Sequence, residues 1–260
     1  MITHVEHVMG TAVSITVDPG NGDPAAAIAG ACAVLHAADE TFSTYNVGSV
    51  LMRHRSGELQ AEELPAEMLE VLELSARAAR LTGGFFDPWA MPGGFDPTGL
   101  VKGWAAQQAV GCLRDGGMAA AMVNAGGDVA CFGPAPWRIG VRDPGDVERL
   151  VCVADVGDAI ATSGGYERPG ELLDPHDGRP KARLVQATVV GENLALADAY
   201  ATALVVRGER GLAMVEGTPY EAVIVTHDGR MLATPGFPIA LARPGSAGVA
   251  PAGYGAWPHP

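Results

Sequence analysis

From Phe85 to Gly99 the chain reads FFDPWAMPGGFDPTG, with three prolines and three glycines. Proline removes a backbone donor and clashes with the preceding helical turn, and glycine loses the most backbone entropy on ordering. No regular element can cross such a segment, so helices and strands must be built on either side of a long irregular loop. The same bias extends through the chain, whose 35 Gly and 19 Pro predict frequent turns and tight backbone approaches.

Periodicity places the elements around that loop. Val13, Ile15 and Val17 alternate with Ser14 and Thr16, the pattern of a half-buried strand over 11–17. Asp23-Pro24 supplies an N-cap and a first-turn proline for a helix over 24–40, with Ile28, Cys32, Leu35 and Phe42 at near-helical spacing. The run STYNVGSVLMRHRSGE reads as irregular. Pro65 opens a second helix, with Met68, Leu72 and Ala79 on one face and Gly83-Gly84 past its end. A third helix is expected from Leu100 to Arg114. Strands are expected at 119–124, 129–132, 137–142, 150–156 and 184–190, and helices at 196–207 and 209–216. EAVIVTHDGRMLAT has the form of a hairpin turning at Asp228-Gly229. This order is mixed rather than strictly βαβ, which predicts an α+β fold with a largely antiparallel sheet. One domain over 1–242 holds these elements, and 243–260 reads as a loose Pro/Gly-rich tail.

A chain of this length buries roughly 70–75% of its unfolded surface, which excludes fibrous and fully disordered classes. Its 17 Lys+Arg against 30 Asp+Glu give a net charge of −13. That excludes a general attraction for nucleic acid or an anionic membrane, so a polyanionic ligand must be held by local charge. Cys32, Cys112, Cys131 and Cys152 show no CxxC spacing and sit among small or apolar residues, so they read as buried thiols in a reducing compartment. The seven histidines show no ligand spacing in the sequence. The opening MITHVEHVMG lacks the basic and apolar regions of a signal peptide, and no apolar run is long enough to span a membrane. The expected location is the cytoplasm.

Four segments carry candidate chemistry. In ALADAYATALVVRG, Asp198 and Thr202 lie one helical turn apart on one face. A carboxylate and a hydroxyl are hard oxygen donors suited to Mg²⁺; the alternative is a solvated Asp and a Thr bonded back to its own helix. In FDPTGLVKGWA, Pro97 and Gly99 bend the chain into a helix start that can face an anion, with Lys102 adding positive charge. Its alternative is a capped helix start with an exposed lysine. NAGGD reads as a hairpin turn, because it lacks GxGxxG and a following helix. Ser163-Gly164 in AIATSGGYER lacks the GxSxG frame of a serine hydrolase.

Taken in order, the chain's motifs resemble the ApbE-type FAD:protein FMN transferases. HVMGTAVSITV, FSTYNVGSVLMR, TGGFFDP, FDPTGLVKGWA, NAGGD, WRIGVRDP, AIATSGGYER, LLDPHDGRP and ADAYAT carry the resemblance, over about residues 5–240. It implies an α+β fold of two intimately joined lobes, a largely antiparallel sheet flanked by helices, and FAD in the cleft. It also implies Mg²⁺-dependent transfer of the FMN moiety of FAD to a Ser or Thr hydroxyl of an acceptor flavoprotein, with release of AMP. By motif position, Asp198, Thr202 and the main-chain oxygen of Gly99 match the family's metal ligands, and Ala201 a further metal-side position. Met9, Tyr45, Phe85, Phe86, Asp87, Asp96, Lys102 and Leu172 match positions lining the flavin nucleotide. One departure concerns the His that the family carries just before its Asp-Pro run and that is held to activate the acceptor hydroxyl. Here that position is Glu171, with His176 five residues on, and both are candidate catalytic bases. The departure leaves two alternatives open: a metal-dependent FAD pyrophosphatase yielding FMN and AMP, or a non-catalytic FAD-binding protein.

Overall fold

Residues alternating between two faces build the frame of this protein, seen in a computed structural model that describes residues 1–165 and 172–241. Glu171 and the expected tail over 243–260 lie outside the described residues. The chain begins with β1 (Ile2–Val8) and β2 (Thr11–Asp18), then runs through α1 (Pro24–Phe42), α2 (Val50–Arg55), α3 (Ala66–Leu81) and α4 (Thr98–Asp115). Five strands follow: β3 (Ala120–Ala125), β4 (Asp128–Phe132), β5 (Trp137–Asp143), β6 (Asp146–Val156) and β7 (Ala159–Gly164). After the two-residue strands β8 (Leu173–Asp174) and β9 (Arg179–Pro180) come β10 (Gln186–Gly191) and α5 (Leu194–Arg207). The strands β11 (Glu221–Val225), β12 (Met231–Ala233) and β13 (Ile239–Leu241) end the described chain.

Eight strands form one sheet in the order β1-β2-β3-β4-β7-β10-β11-β12, with every neighbouring pair antiparallel. A second sheet has the order β13-β6-β5. The α+β expectation therefore holds, with one refinement: helices cover one face of the large sheet, and the small sheet covers the other. Strand β4 shows why. Ala130 joins the core shared with all five helices, while its neighbours Val129 and Cys131 pack with Val141, Cys152, Ala154 and Val156 of the small sheet. Strand β7 divides in the same way, Ala159 and Ala161 against Ile160.

α1 starts where its cap places it. Asp23 accepts from the N–H groups of Ala25 and Ala26, and Pro24 needs no partner at the first position. Ala27, Ala31, Leu35, Ala38 and Phe42 then form its buried stripe. The helix α5 is different: every residue except Thr202 and Arg207 is buried. It runs through the middle of the protein, so any polar group on it is under tight chemical constraint. Among the described residues no helix is long and apolar enough to cross a membrane.

Several elements differ from the sequence expectation. β1 was not expected, because it is an edge strand whose two faces both carry polar residues. α2 forms inside the run expected to be irregular, started by Ser49, whose Oγ accepts from the Met52 N–H. The segment near 209–216 is a 3-10 helix over Glu209–Met214 rather than an α-helix.

Candidate active site

Gly103 sets the geometry. A Cβ there would lie 3.0 Å from the Leu194 carbonyl oxygen and 3.1 Å from the Ala195 backbone, so only glycine allows α4 to approach α5 this closely. Four residues along α4, Gln107 Oε1 accepts from the Leu194 N–H at 3.0 Å. Both α4 residues therefore meet the first turn of α5.

Asp198 is 6% exposed on an otherwise apolar stretch of α5. One turn on, Thr202 Oγ1 lies 3.0 Å from Ser163 Oγ on β7, a side-chain bond rather than one back to its own helix. Ser163 shares the helix-facing side of β7 with Ala159 and Ala161. Its neighbour Thr162 donates its N–H to Asp128 Oδ1 at 3.1 Å. The other oxygen of Asp128 lies 2.5 Å from Lys102 Nζ. A polar path therefore joins Thr202 on α5 to Lys102 on α4. Lys102 is thus ion-paired rather than the simply exposed lysine of the alternative reading, and its partner Asp128 is 1% exposed at the end of the NAGGD turn. That turn is a hairpin as expected, but sequence spacing gave no sign of the pair.

The pair supports a stability prediction. Lys102→Met leaves the Asp128 carboxylate buried without its cation. Losing one partner of a buried pair costs about 3–5 kcal/mol; because the Lys102 side chain is 33% exposed, the expected loss is about 2–3 kcal/mol. Adding Asp128→Asn recovers most of it, since the amide oxygen still accepts from Thr162 without carrying charge. Urea unfolding of the three variants checks this, and equal midpoints for Lys102→Met and wild type refute it.

The irregular loop lines the same end of α4. Phe86 lies against Gly99, where a Cβ would come within 3.2 Å of its ring. Thr82 Oγ1 accepts from the Phe86 N–H and fixes this turn. Asp87 accepts from the Trp89 N–H, and Asp96 from the Thr98 N–H, so both shape the backbone ahead of α4. Arg55 binds the carbonyls of Gly93 and Pro92 and approaches Asp96 at 3.9 Å. Met9 has φ +53 beside Gly10 at φ +68. A left-handed methionine costs about 1–2 kcal/mol, and strain of this kind concentrates at functional sites. Tyr45 is 97% exposed. Leu172 packs partly buried against the main core. Ala201 is fully buried, and its methyl group supplies no ligand atom.

His176 is the expected site residue with the most developed surroundings. Asp174 Oδ1 lies 3.1 Å from its Nδ1 and also accepts its backbone N–H. The imidazole packs 4.5 Å from the Phe85 ring, with Nε2 facing Gly84. The Arg207 guanidinium covers Phe85 at 4.8 Å. Lys181 binds Asp174 Oδ2 at 2.6 Å. This lysine holds the buried Asp174 carboxyl down at about 2, helped by His176. A depressed carboxyl stabilises the fold above its unfolded value near 4 and loses that contribution as pH falls toward 2. The urea midpoint of wild type should therefore exceed that of Asp174→Asn at pH 6, with the gap closing between pH 4 and pH 2. A gap independent of pH would refute the linkage.

The comparisons agree with this architecture. The ApbE family matches residues 9–93 and 91–224. The chain belongs to the ApbE family. It is similar to the FAD:protein FMN transferase of Rhodobacter capsulatus, 36% identical over 149 residues. It is also similar to that of Vibrio cholerae serotype O1, 35% identical over 152 residues. Each match covers 52% of this chain, but 28% and 46% of those relatives, so the chain spans less than half of their length. Among solved structures, the ApbE protein from Thermotoga maritima superposes with TM-score 0.78 at 23% identity, covering 88% of this chain and 96% of that one. The flavin transferase ApbE from Vibrio cholerae gives 0.76 at 24% identity, covering 90% and 96%. At these identities the likeness is one of fold.

Proposed function

We propose that this chain transfers the FMN moiety of FAD to a Ser or Thr hydroxyl of an acceptor flavoprotein in a Mg²⁺-dependent reaction that releases AMP. The observation that carries the reading is the buried Asp198 on α5, one turn from Thr202, whose hydroxyl meets Ser163 on β7. Family membership supports it.

The donor chemistry fits a hard cation. A carboxylate, a hydroxyl and a backbone carbonyl are all hard oxygen ligands. Gly99, Asp198 and Thr202 would hold Mg²⁺; Ala201 would only shape the space beside it. Bound there, Mg²⁺ supplies Lewis-acid polarisation of phosphate oxygens. Lys102 adds charge toward the same phosphates, and Asp128 fixes its direction. Met9, Tyr45, Phe85, Phe86 and Leu172 give the nucleotide apolar surfaces, while Asp87 and Asp96 hold the loop that carries them.

The acceptor hydroxyl must lose its proton as its oxygen bonds to the FMN phosphorus and the pyrophosphate P–O bond breaks. We assign this role to His176. Asp174 takes the Nδ1 proton as a hydrogen bond, which leaves Nε2 as the acceptor nitrogen. Glu171 occupies the family's His position in the sequence and is the competing base.

Incubating the protein with FAD and Mg²⁺, with and without a peptide bearing a flavinylation Ser or Thr, separates the readings. AMP that appears together with labelled peptide supports the transferase. AMP and free FMN without acceptor mean a pyrophosphatase. Intact bound FAD in every tube means a binding protein.

A further inference from the structure

A second set of donor atoms lies between β1 and α1. His4 and Glu6 alternate onto one face of the strand, and Cys32 and His36 lie one turn apart on the helix. His4 Nε2 is 3.2 Å from Glu6 Oε2, and His36 Nε2 is 3.3 Å from Glu6 Oε1. The ligand atoms of His4, Glu6 and Cys32 all fall within 4.8 Å of one another. The four side chains line an open groove of about 730 Å³, with Thr3, Ala29 and Ala33 around them. Two imidazoles converging on one carboxylate can be read as surface ion pairs, but exposed pairs contribute little. The Cys32 thiol meets the same carboxylate, so two imidazoles and a thiol converge on Glu6.

We propose that His4, Glu6, Cys32 and His36 form a Zn²⁺ site. Two imidazole nitrogens, one carboxylate oxygen and one thiolate make a closed tetrahedral set of the borderline ligands Zn²⁺ prefers. Bond lengths of about 2.0–2.3 Å place tetrahedral ligands roughly 3.3–3.8 Å apart, so the His4–Glu6 separation is already close to the bound spacing, and His36, which lies against the other carboxylate oxygen, turns inward to complete the set. Mg²⁺ disfavours nitrogen and sulfur donors, which separates this site chemically from Asp198 and Thr202. The charges balance: Glu6 and the Cys32 thiolate carry two negative charges against the ion's two positive ones. As the Zn–S bond forms, the Cys32 thiol releases its proton to solvent. The ion would fasten the edge strand of the large sheet to α1.

The sequence hides this set because His4 and His36 meet only through β1, a strand its pattern does not announce. Cys32 is also half-buried rather than enclosed, unlike Cys131 and Cys152.

The test is Zn²⁺ titration of chelator-stripped protein in Mg²⁺ buffer against a chromophoric chelator. One equivalent per chain and a raised Tm are expected. Cys32→Ser and His36→Ala should each weaken binding by more than about 100-fold, since even an outer partner of a ligand is worth 10–100-fold. His7→Ala, on the opposite face of β1, should keep one equivalent. Co²⁺ should give a thiolate-to-metal charge-transfer band that Cys32→Ser abolishes. Circular dichroism of the metal-free variants separates lost ligands from lost folding. Failure to bind Zn²⁺, binding that survives both ligand variants, or a Co²⁺ spectrum without the thiolate band overturns the proposal.

Discussion

Asp198→Asn lowers AMP release from FAD by about 100- to 1,000-fold at sub-saturating Mg²⁺ and leaves the protein folded. Asparagine keeps the volume and one oxygen of the side chain while removing its charge. Thr202 and the Gly99 carbonyl are neutral donors, so Asp198 is the single formal anion of the proposed ligand set. Without it the cation loses several kcal/mol of attraction, and about 1.4 kcal/mol is a tenfold rate change. Thr202→Val removes a neutral donor and breaks the bond to Ser163 Oγ, so its loss should be nearer tenfold. Raising Mg²⁺ should partly rescue Asp198→Asn, because the defect lies in affinity for the cation. AMP measured across a Mg²⁺ titration decides the matter. A variant with the wild-type rate at low Mg²⁺ would mean that the buried carboxylate on α5 has another task.

Elements with one apolar and one polar face were legible in the sequence. β2, α1 and α3 each present such a pattern, and their caps and turns mark their ends; the β11–β12 hairpin, buried on both faces, was legible from its Asp228-Gly229 turn. Elements at the extremes were not. β1 carries polar residues on both faces because it is an edge strand. β7 is short and buried between two cores, so Ala159, Ile160 and Ala161 read as an apolar run rather than a strand. The candidate site divides similarly. Asp198 with Thr202, and Gly99 with Lys102, are spaced by helical turns and could be read from the chain. Asp128 and Ser163 reach those helices only through sheet pairing, across tens of residues, and no local pattern reports that. Asp174 sits two residues before His176 in the sequence, but its importance comes from Lys181, which the β8–β9 ribbon folds back onto it.

The proposed assignment of the base to His176 rather than Glu171 has its own test. His176→Ala should lower transfer to the acceptor peptide by about 100-fold or more, the usual worth of a positioned general base. Glu171→Gln should change it far less. The discriminating variant is Asp174→Asn. An amide in place of the carboxylate can donate to Nδ1 and favours the tautomer with the proton on Nε2, the nitrogen that must accept. Its loss should therefore approach that of His176→Ala. The double variant should be no worse than either single one, because residues acting as a unit are not additive. If the two losses multiply instead, Asp174 supports the fold and not the imidazole. If Glu171→Gln removes transfer while His176→Ala does not, the base sits where the rest of the family carries its His. The Asp174–His176–Lys181 arrangement would then be a structural clamp beneath Phe85.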